Sequence, residues 1–289
     1  MAEISAKAVK SLREQTGAGM MDCKRALSEA QGDVEKAIEV LRERGLAKAG
    51  KREGRATSEG VIAIALEGRR SGMVELGCET DFVARTEDFT GLAEALARIA
   101  ARDAAVTTPQ ALLDASIAAE KVSERITAAI AKLGENVVVK RVARLEVEGE
   151  GVIGGYVHAG AKLGVLVSLA AQNPGAEVEA LAKDLAMHVA AADPTPVAVT
   201  RDGVSQAFLA KEREIFRKQA LQEGKPEKVV DRIVEGKINK VVAEICLVEQ
   251  AFVKDPDKSV GDLLKQAGEV RVVAFERFKL GQAEEEPQA

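Results

Sequence analysis

The 289-residue sequence has no tryptophan, one tyrosine and seven phenylalanines. So few flat rings exclude the stacking platforms on which single-stranded nucleic acids are usually held. Basic charge is not in surplus either. Lys and Arg number 41 against 46 Asp and Glu, a formal net charge of -5, which is the wrong sign for a dedicated nucleic-acid binder. No apolar run approaches the roughly 20 residues that cross a bilayer, so no membrane association is expected. The start, Met1-Ala2-Glu3-Ile4-Ser5, lacks the basic-then-apolar order of a secretory signal. The three cysteines, Cys23, Cys78 and Cys246, are isolated and odd in number, as free, buried thiols in a reducing cytoplasm would be.

Catalytic signatures are equally scarce. His158 and His188 have no CxxC, HxxxH or carboxylate cluster at metal spacing around them, so each reads as structural, and no metal or cofactor is expected. Cys78 has no identifiable base. Gly155-Tyr156-Val157-His158-Ala159-Gly160-Ala161-Lys162 has the look of a phosphate loop. Its Lys does not directly follow the second Gly, however, and strand-like residues rather than a helix come next. It reads as a glycine-rich hairpin turn. An enzyme would need a convergent polar pocket that these residues do not announce.

What is present is organisation. The length allows more than one domain. Ser5 suits the N-cap of a helix carrying Ala8, Val9 and Leu12; Thr16-Gly17-Ala18-Gly19 breaks it. A second helix carries Met21, Cys23, Ala26 and Leu27. Asp33 opens a third, in which Val34, Ala37, Ile38 and Leu41 share one face, with Gly45 placed as its stop. Residues 1–55 therefore read as a three-helix bundle. Its end, Lys48 to Arg55, reads as a basic, solvated tether.

Two α+β subdomains follow, residues 56–149 and 150–281. Gly60–Leu66 and Gly72–Cys78 read as a hairpin with a loop of about five residues. Amphipathic helices carry Phe89, Leu92, Leu96 and Ile99, then Val122, Ile126, Ile130 and Leu133. Val137–Val147 reads as a strand. The pattern then repeats. Glu150-Gly151-Val152-Ile153 echoes Glu59-Gly60-Val61-Ile62, Gly164-Val165-Leu166-Val167 echoes Gly72-Met73-Val74-Glu75, and Ala274–Gly281 echoes Val142–Gly149. The offset grows from about 90 to 132, which implies an insertion of about 40 residues in the second copy. Residues 196–245 supply it: two long charged helical segments joined by Gly224-Lys225-Pro226, an antiparallel hairpin. Its apolar stripe closes the hairpin on itself or serves a partner or second copy. Residues 282–289 read as an acidic, disordered tail.

One stretch stands out, Glu79-Thr80-Asp81-Phe82-Val83-Ala84-Arg85. A polar turn is the default between a strand and a helix. Here a scarce Phe sits beside an acid. It is either a plug for the local core or a projecting tooth. The second copy has Gln172-Asn173-Pro174-Gly175 at the same place. The frame does without a Phe there, which favours the tooth.

Several segments, in order, resemble the bacterial elongation factor Ts family. They include Val9–Leu27, Thr80-Asp81-Phe82-Val83-Ala84-Arg85, Lys132-Leu133-Gly134-Glu135-Asn136, Met187-His188-Val189-Ala190-Ala191, Glu223-Gly224-Lys225-Pro226 and Ser259-Val260-Gly261-Asp262-Leu263-Leu264. The resemblance implies a guanine-nucleotide exchange factor for elongation factor Tu, bound in its GDP-loaded and nucleotide-free states. It also implies that the N-terminal bundle is like ubiquitin-associated domains and docks on the partner's GTPase domain. Thr80, Asp81, Phe82 and Val83 match the segment that enters the partner near its nucleotide-bound magnesium and dislodges the ion. Lys24, Leu133, Gly134, His188 and Val253 match partner-contact positions. A homodimer or 2:2 complex through the hairpin is a further expectation, and direct nucleic-acid contact is not. The alternative is a non-exchanging adaptor or holdase that uses the bundle and the hairpin.

Overall fold

The structure, a computed structural model, describes residues 4–117 and 120–282. The acidic tail expected beyond them lies outside the described residues. Helix α1 (Ala6–Thr16) starts where Ser5 Oγ accepts the Ala8 amide and ends where Gly17 takes φ +67°. Then come α2 (Met20–Glu29) and α3 (Val34–Gly50), the latter capped by Asp33 accepting the Lys36 amide. Val9, Leu12, Cys23, Ala26, Leu27 and Ala37 form the bundle's core. Met21, expected inside, is exposed, because Cys23, Ala26 and Leu27 occupy the inward face of so short a helix.

Gly45 does not stop α3. The helix runs on to Gly50, carrying the first part of the expected tether. A Cβ at Gly45 would lie 3.5 Å from the Ala131 Cβ, on the helix Val122–Leu133. Close helix packing thus offsets the roughly 1 kcal/mol that glycine costs in a helix interior.

Strands β1 (Glu59–Glu67) and β2 (Arg70–Cys78) are joined by Gly68-Arg69 alone, with Gly68 at φ +66°. The loop is shorter than the expected five residues, because a two-residue turn matches the strand twist and keeps the polar flanks in the ladder. Next come α4 (Asp81–Ala84), α5 (Glu87–Arg102), α6 (Pro109–Asp114), β3 (Ser116–Ile117), β4 (Glu120–Lys121), α7 (Val122–Leu133) and β5 (Val137–Glu146). The first sheet has the order β1-β2-β5.

The second copy runs β6 (Gly151–Val157), β7 (Leu163–Ala170) and α8 (Ala176–Ala191). The inserted hairpin α9 (Gln206–Gln222) and α10 (Glu227–Ile245) follows, then β8 (Ala251–Phe252), β9 (Asp255–Ser259), α11 (Val260–Gln266) and β10 (Arg271–Lys279). Its sheet is antiparallel, β6-β7-β10. Both sheets are therefore a hairpin with a late strand laid beside the hairpin's second strand. The copies match further than the sequence suggested, since each sets a small β-hairpin and a helix before its last strand: β3-β4-α7 and β8-β9-α11. Each opens on a glycine that no other residue replaces without a clash. A Cβ on Gly60 would stand 2.2 Å from the Leu76 carbonyl oxygen, and one on Gly151 2.2 Å from that of Leu169.

The fold is thus α+β: a bundle, two related subdomains with small antiparallel sheets and an inserted helical hairpin. It forms two compact units. One comprises residues up to Ala63 with Val74–Ala143, the other Ile64–Met73 with the chain from Arg144 on. In the hairpin, Leu209, Ala220, Val230, Val234, Ile238 and Val242 pack together, so most of the apolar stripe closes the hairpin on itself. Ile215, Leu221 and Val229 stay exposed.

Candidate functional site

The stretch from Cys78 to Thr86 is built as a rigid bracket. Buried β2 ends at Cys78, whose Sγ donates to the Thr80 carbonyl at 3.1 Å. Burial, reinforced by the nearby Glu135 carboxylate, pushes this thiol up to about 11. It stays protonated at neutral pH, which removes it as a nucleophile. Thr80 then caps α4, its Oγ1 accepting the Val83 amide at 3.4 Å. Two residues past α4, Thr86 caps α5: its hydroxyl donates to the Val83 carbonyl at 2.8 Å and accepts the Phe89 amide at 3.3 Å. Ala84 and Phe89 point inward and are buried. On so short a helix the alternate direction belongs to Phe82, which is 81% exposed. Asp81 stands beside it, paired with Arg85 at 3.0 Å.

The bracket is held from the end of α7. Gly134 terminates that helix at φ +81°, a conformation open to glycine at little cost. The next residue, Glu135, takes three hydrogen bonds from the bracket. One carboxylate oxygen accepts the amides of Glu79 and Thr80 at 3.1 and 3.0 Å, and the other accepts the Thr80 hydroxyl at 2.5 Å. The clasp is reciprocal, because Glu79 Oε1 accepts the Asn136 amide at 2.7 Å. Asn136 Nδ2 donates to the Arg55 carbonyl at 3.0 Å, while the Arg55 guanidinium lies 3.5 Å from Glu79. Lys132 pairs with Asp88 at 2.7 Å across the same junction. The fold therefore brings together two segments far apart in sequence, Thr80–Val83 and Leu133-Gly134, through the Glu135 bonds to Glu79 and Thr80. Leu133 and Val83 are half-buried and Gly134 is exposed. Lys24 is exposed on α2, a separate element of this unit.

The other two predicted positions meet in the second unit. His188, on α8, is fully buried. Its Nδ1 accepts the Val253 amide at 3.2 Å, so Nε2 carries the proton and donates to Gln250 Oε1 at 3.0 Å. Gln250 in turn donates to the carbonyls of Pro194 and Glu244 at 2.9 and 2.7 Å. Burial holds the imidazole below its ordinary pKa, against the opposing Gln250 hydrogen bond. A neutral ring is what this network needs. His188 thus offers no surface of its own. It fixes Val253, a residue 41% exposed, while neighbouring Lys254 is paired with Asp184 at 2.8 Å.

A cleft of about 660 Å³ lies between the bundle and α7, floored by Ile38, Leu41, Ala128 and Ala131. The charges around it are paired: Arg42 with Glu124, Arg44 with Glu29, Lys132 with Asp88. Among the described residues no cluster of three or more His, Cys, Asp or Glu is placed to hold a metal ion. None of their helices is long and apolar enough to cross a membrane.

Sequence reasoning missed Glu135 and Asn136 as parts of this site. The available signal was an acid directly after a helix-ending glycine. The partner lay 55 residues away in sequence, beyond the reach of any periodicity.

The family model described as "Elongation factor TS" matches residues 79–282. Curated relatives include "Elongation factor Ts" of Clostridium botulinum strain Alaska E43 / Type E3, 47% identical over 286 residues, 96% of this chain and 93% of the relative. Another, from Clostridium botulinum strain ATCC 19397 / Type A, is 48% identical over 288 residues with the same coverage.

Proposed function

The chain belongs to the elongation factor Ts family, and from that premise we propose that it promotes GDP release from elongation factor Tu during translation in the cytoplasm. The observation that carries the reading is Phe82, 81% exposed on a turn fixed at both ends. Asp81 and Phe82, framed by Thr80 and Val83, enter the partner near its nucleotide-bound magnesium. Displacing the ion removes charge compensation from the phosphates, and GDP loosens. The protein needs no nucleotide site and no catalytic side chain. It binds the emptied partner better than the loaded one, and by linkage nucleotide then expels it. Lys24 on the bundle, Leu133-Gly134 and Val253 supply further contacts, with His188 acting through the Val253 backbone it holds. The stripe packed inside the α9–α10 hairpin favours a hairpin that stands alone over one that pairs two copies.

Release of a fluorescent GDP analogue from elongation factor Tu tests the reading. Wild type accelerates release, and Phe82→Ala loses at least roughly tenfold of that acceleration. No acceleration by wild type overturns the assignment. An unimpaired Phe82→Ala overturns the wedge. A non-exchanging adaptor would instead stay bound as GDP is titrated into the complex.

A further inference from the structure

We propose that Glu135 is the positioning residue of the exchange reaction, the group that fixes the angle at which Phe82 is presented. The inference rests on the wedge reading above and adds a residue to it.

Three observations carry it. First, α4 is a single turn of four residues, far below the length at which a helix persists alone. The direction of Phe82 must therefore be set from outside α4. Second, the outside contact is concentrated in one side chain. Glu135 takes the two successive amides that open the turn and the hydroxyl of its cap. Hydrogen bonds to a carboxylate are about twice as strong as neutral ones, and three on one group fix both position and orientation. Third, the duplicated frame supplies an internal control. The second copy also follows its helix α11 with a positive-φ glycine and an acid, Gly268-Glu269. Glu269 is exposed, however. The connection after β7 is tied elsewhere, its Asn173 amide donating to Glu150 Oε2 at 2.6 Å. The copy with the projecting Phe is the copy whose acid turns inward onto the connection.

The carboxylate grips the Glu79 and Thr80 amides and the Thr80 hydroxyl. It acts through Thr80, so its loss leaves the docking contacts intact and spoils the entry geometry. The expected signature is a fall in the maximal rate of GDP release with little change in the concentration of factor that half-saturates it. In full-length Glu135→Ala the maximal rate falls roughly ten- to hundredfold. Glu135→Gln gives an intermediate loss, since its amide keeps one acceptor oxygen and turns a donor toward the bracket. The double variant Glu135→Ala/Phe82→Ala is no slower than Phe82→Ala alone, because both act through one element. Hydrogen exchange of the Glu79 and Thr80 amides speeds up in Glu135→Ala, while β2 and α5 keep their protection.

Losses that add in the double variant place Glu135 in some other role and overturn the proposal. So does a Glu135→Ala that releases GDP at the wild-type rate while Phe82→Ala is slow. Unchanged exchange of the two amides overturns the clasp whatever Phe82 does. A wild-type rate for Phe82→Ala overturns the wedge reading instead, and is told apart by that variant alone.

Discussion

The two copies of the α+β frame solve one structural problem in different ways. Both must leave the second strand of a hairpin and start a helix. The second copy does so in residues 171–175, with no side-chain cap on α8. The first takes residues 79–86, with a capped turn of helix inside the connection and a second cap beyond it. The second copy closes with the shorter version, so the sheet-to-helix connection itself does not require the additional residues and their clasp. Their supports differ too. A carboxylate, Glu135, holds the Thr80 turn, whereas a buried imidazole, His188, holds Val253. On the reading proposed above, the wedge is grafted onto one copy of a duplicated scaffold, and the other copy shows the same strand-to-helix connection without it.

That contrast can be broken most severely by erasing it. A chain in which residues 79–86 are replaced by the sequence of 171–175 keeps its secondary structure by circular dichroism. Its stimulation of GDP release falls to background. If it still stimulates release, the connection is not the functional difference between the copies.

The next effect concerns the sheets. The first buries an ion pair, with Arg141 Nε 2.7 Å from Glu75 Oε2; in the second, Val167, the match to Glu75, is buried opposite Phe275. Removing one partner takes this counter-charge away from a buried ion. Glu75→Ala therefore lowers stability in urea by about 3–5 kcal/mol. Glu75→Val/Arg141→Val, which replaces the buried pair by apolar side chains, costs less than either single change. A double variant worse than both would mean that the pair is needed for more than its mutual neutralisation.

The opening glycines come third. Gly60→Ala and Gly151→Ala each drive a Cβ onto a backbone carbonyl and lose roughly 1–3 kcal/mol. Gly60 falls at the upper end, because its φ of +153° also excludes side chains. Equal thermal shifts for the two would show that the contact alone sets the cost.

The smallest effect is one of pH. His188 remains neutral in the folded protein, its pKa depressed by burial, while the unfolded chain takes up a proton below about 6.5. Its contribution is fully present above that value and is lost as pH falls toward the depressed folded pKa. The slope is at most about 1.4 kcal/mol per pH unit. Between pH 7 and 5 the thermal midpoint of wild type falls more steeply than that of His188→Asn. Parallel slopes would mean that the imidazole is not the group that titrates.

Much of this plan was legible in the residues. Caps and breakers placed α1, α7 and the hairpin: Ser5, Gly134 and Gly224-Lys225-Pro226 act through local chemistry that a short window contains. The direction of Phe82 was legible through the repeat. What failed was set by contacts distant in sequence. Gly45 reads as a stop until Ala131 is seen packed against it. The strand Asp255–Ser259 contains a proline and three charges, so nothing in its pattern suggests a ladder; its pairing with β8 and its place before α11 come from the frame. Glu135 looks like any acid after a helix until the turn it grips is folded beside it.

The exposure of Phe82 carries an energetic meaning for association. A phenyl ring left in water is a reserve of hydrophobic free energy, and transferring it into a partner's interior releases roughly 2 kcal/mol. That is a factor of about thirty in an equilibrium constant. The turn beneath the ring is already ordered, so little of that gain is lost to freezing the chain on contact. The free protein carries the cost of solvating the ring permanently, and recovers it only when a partner opens a place for it.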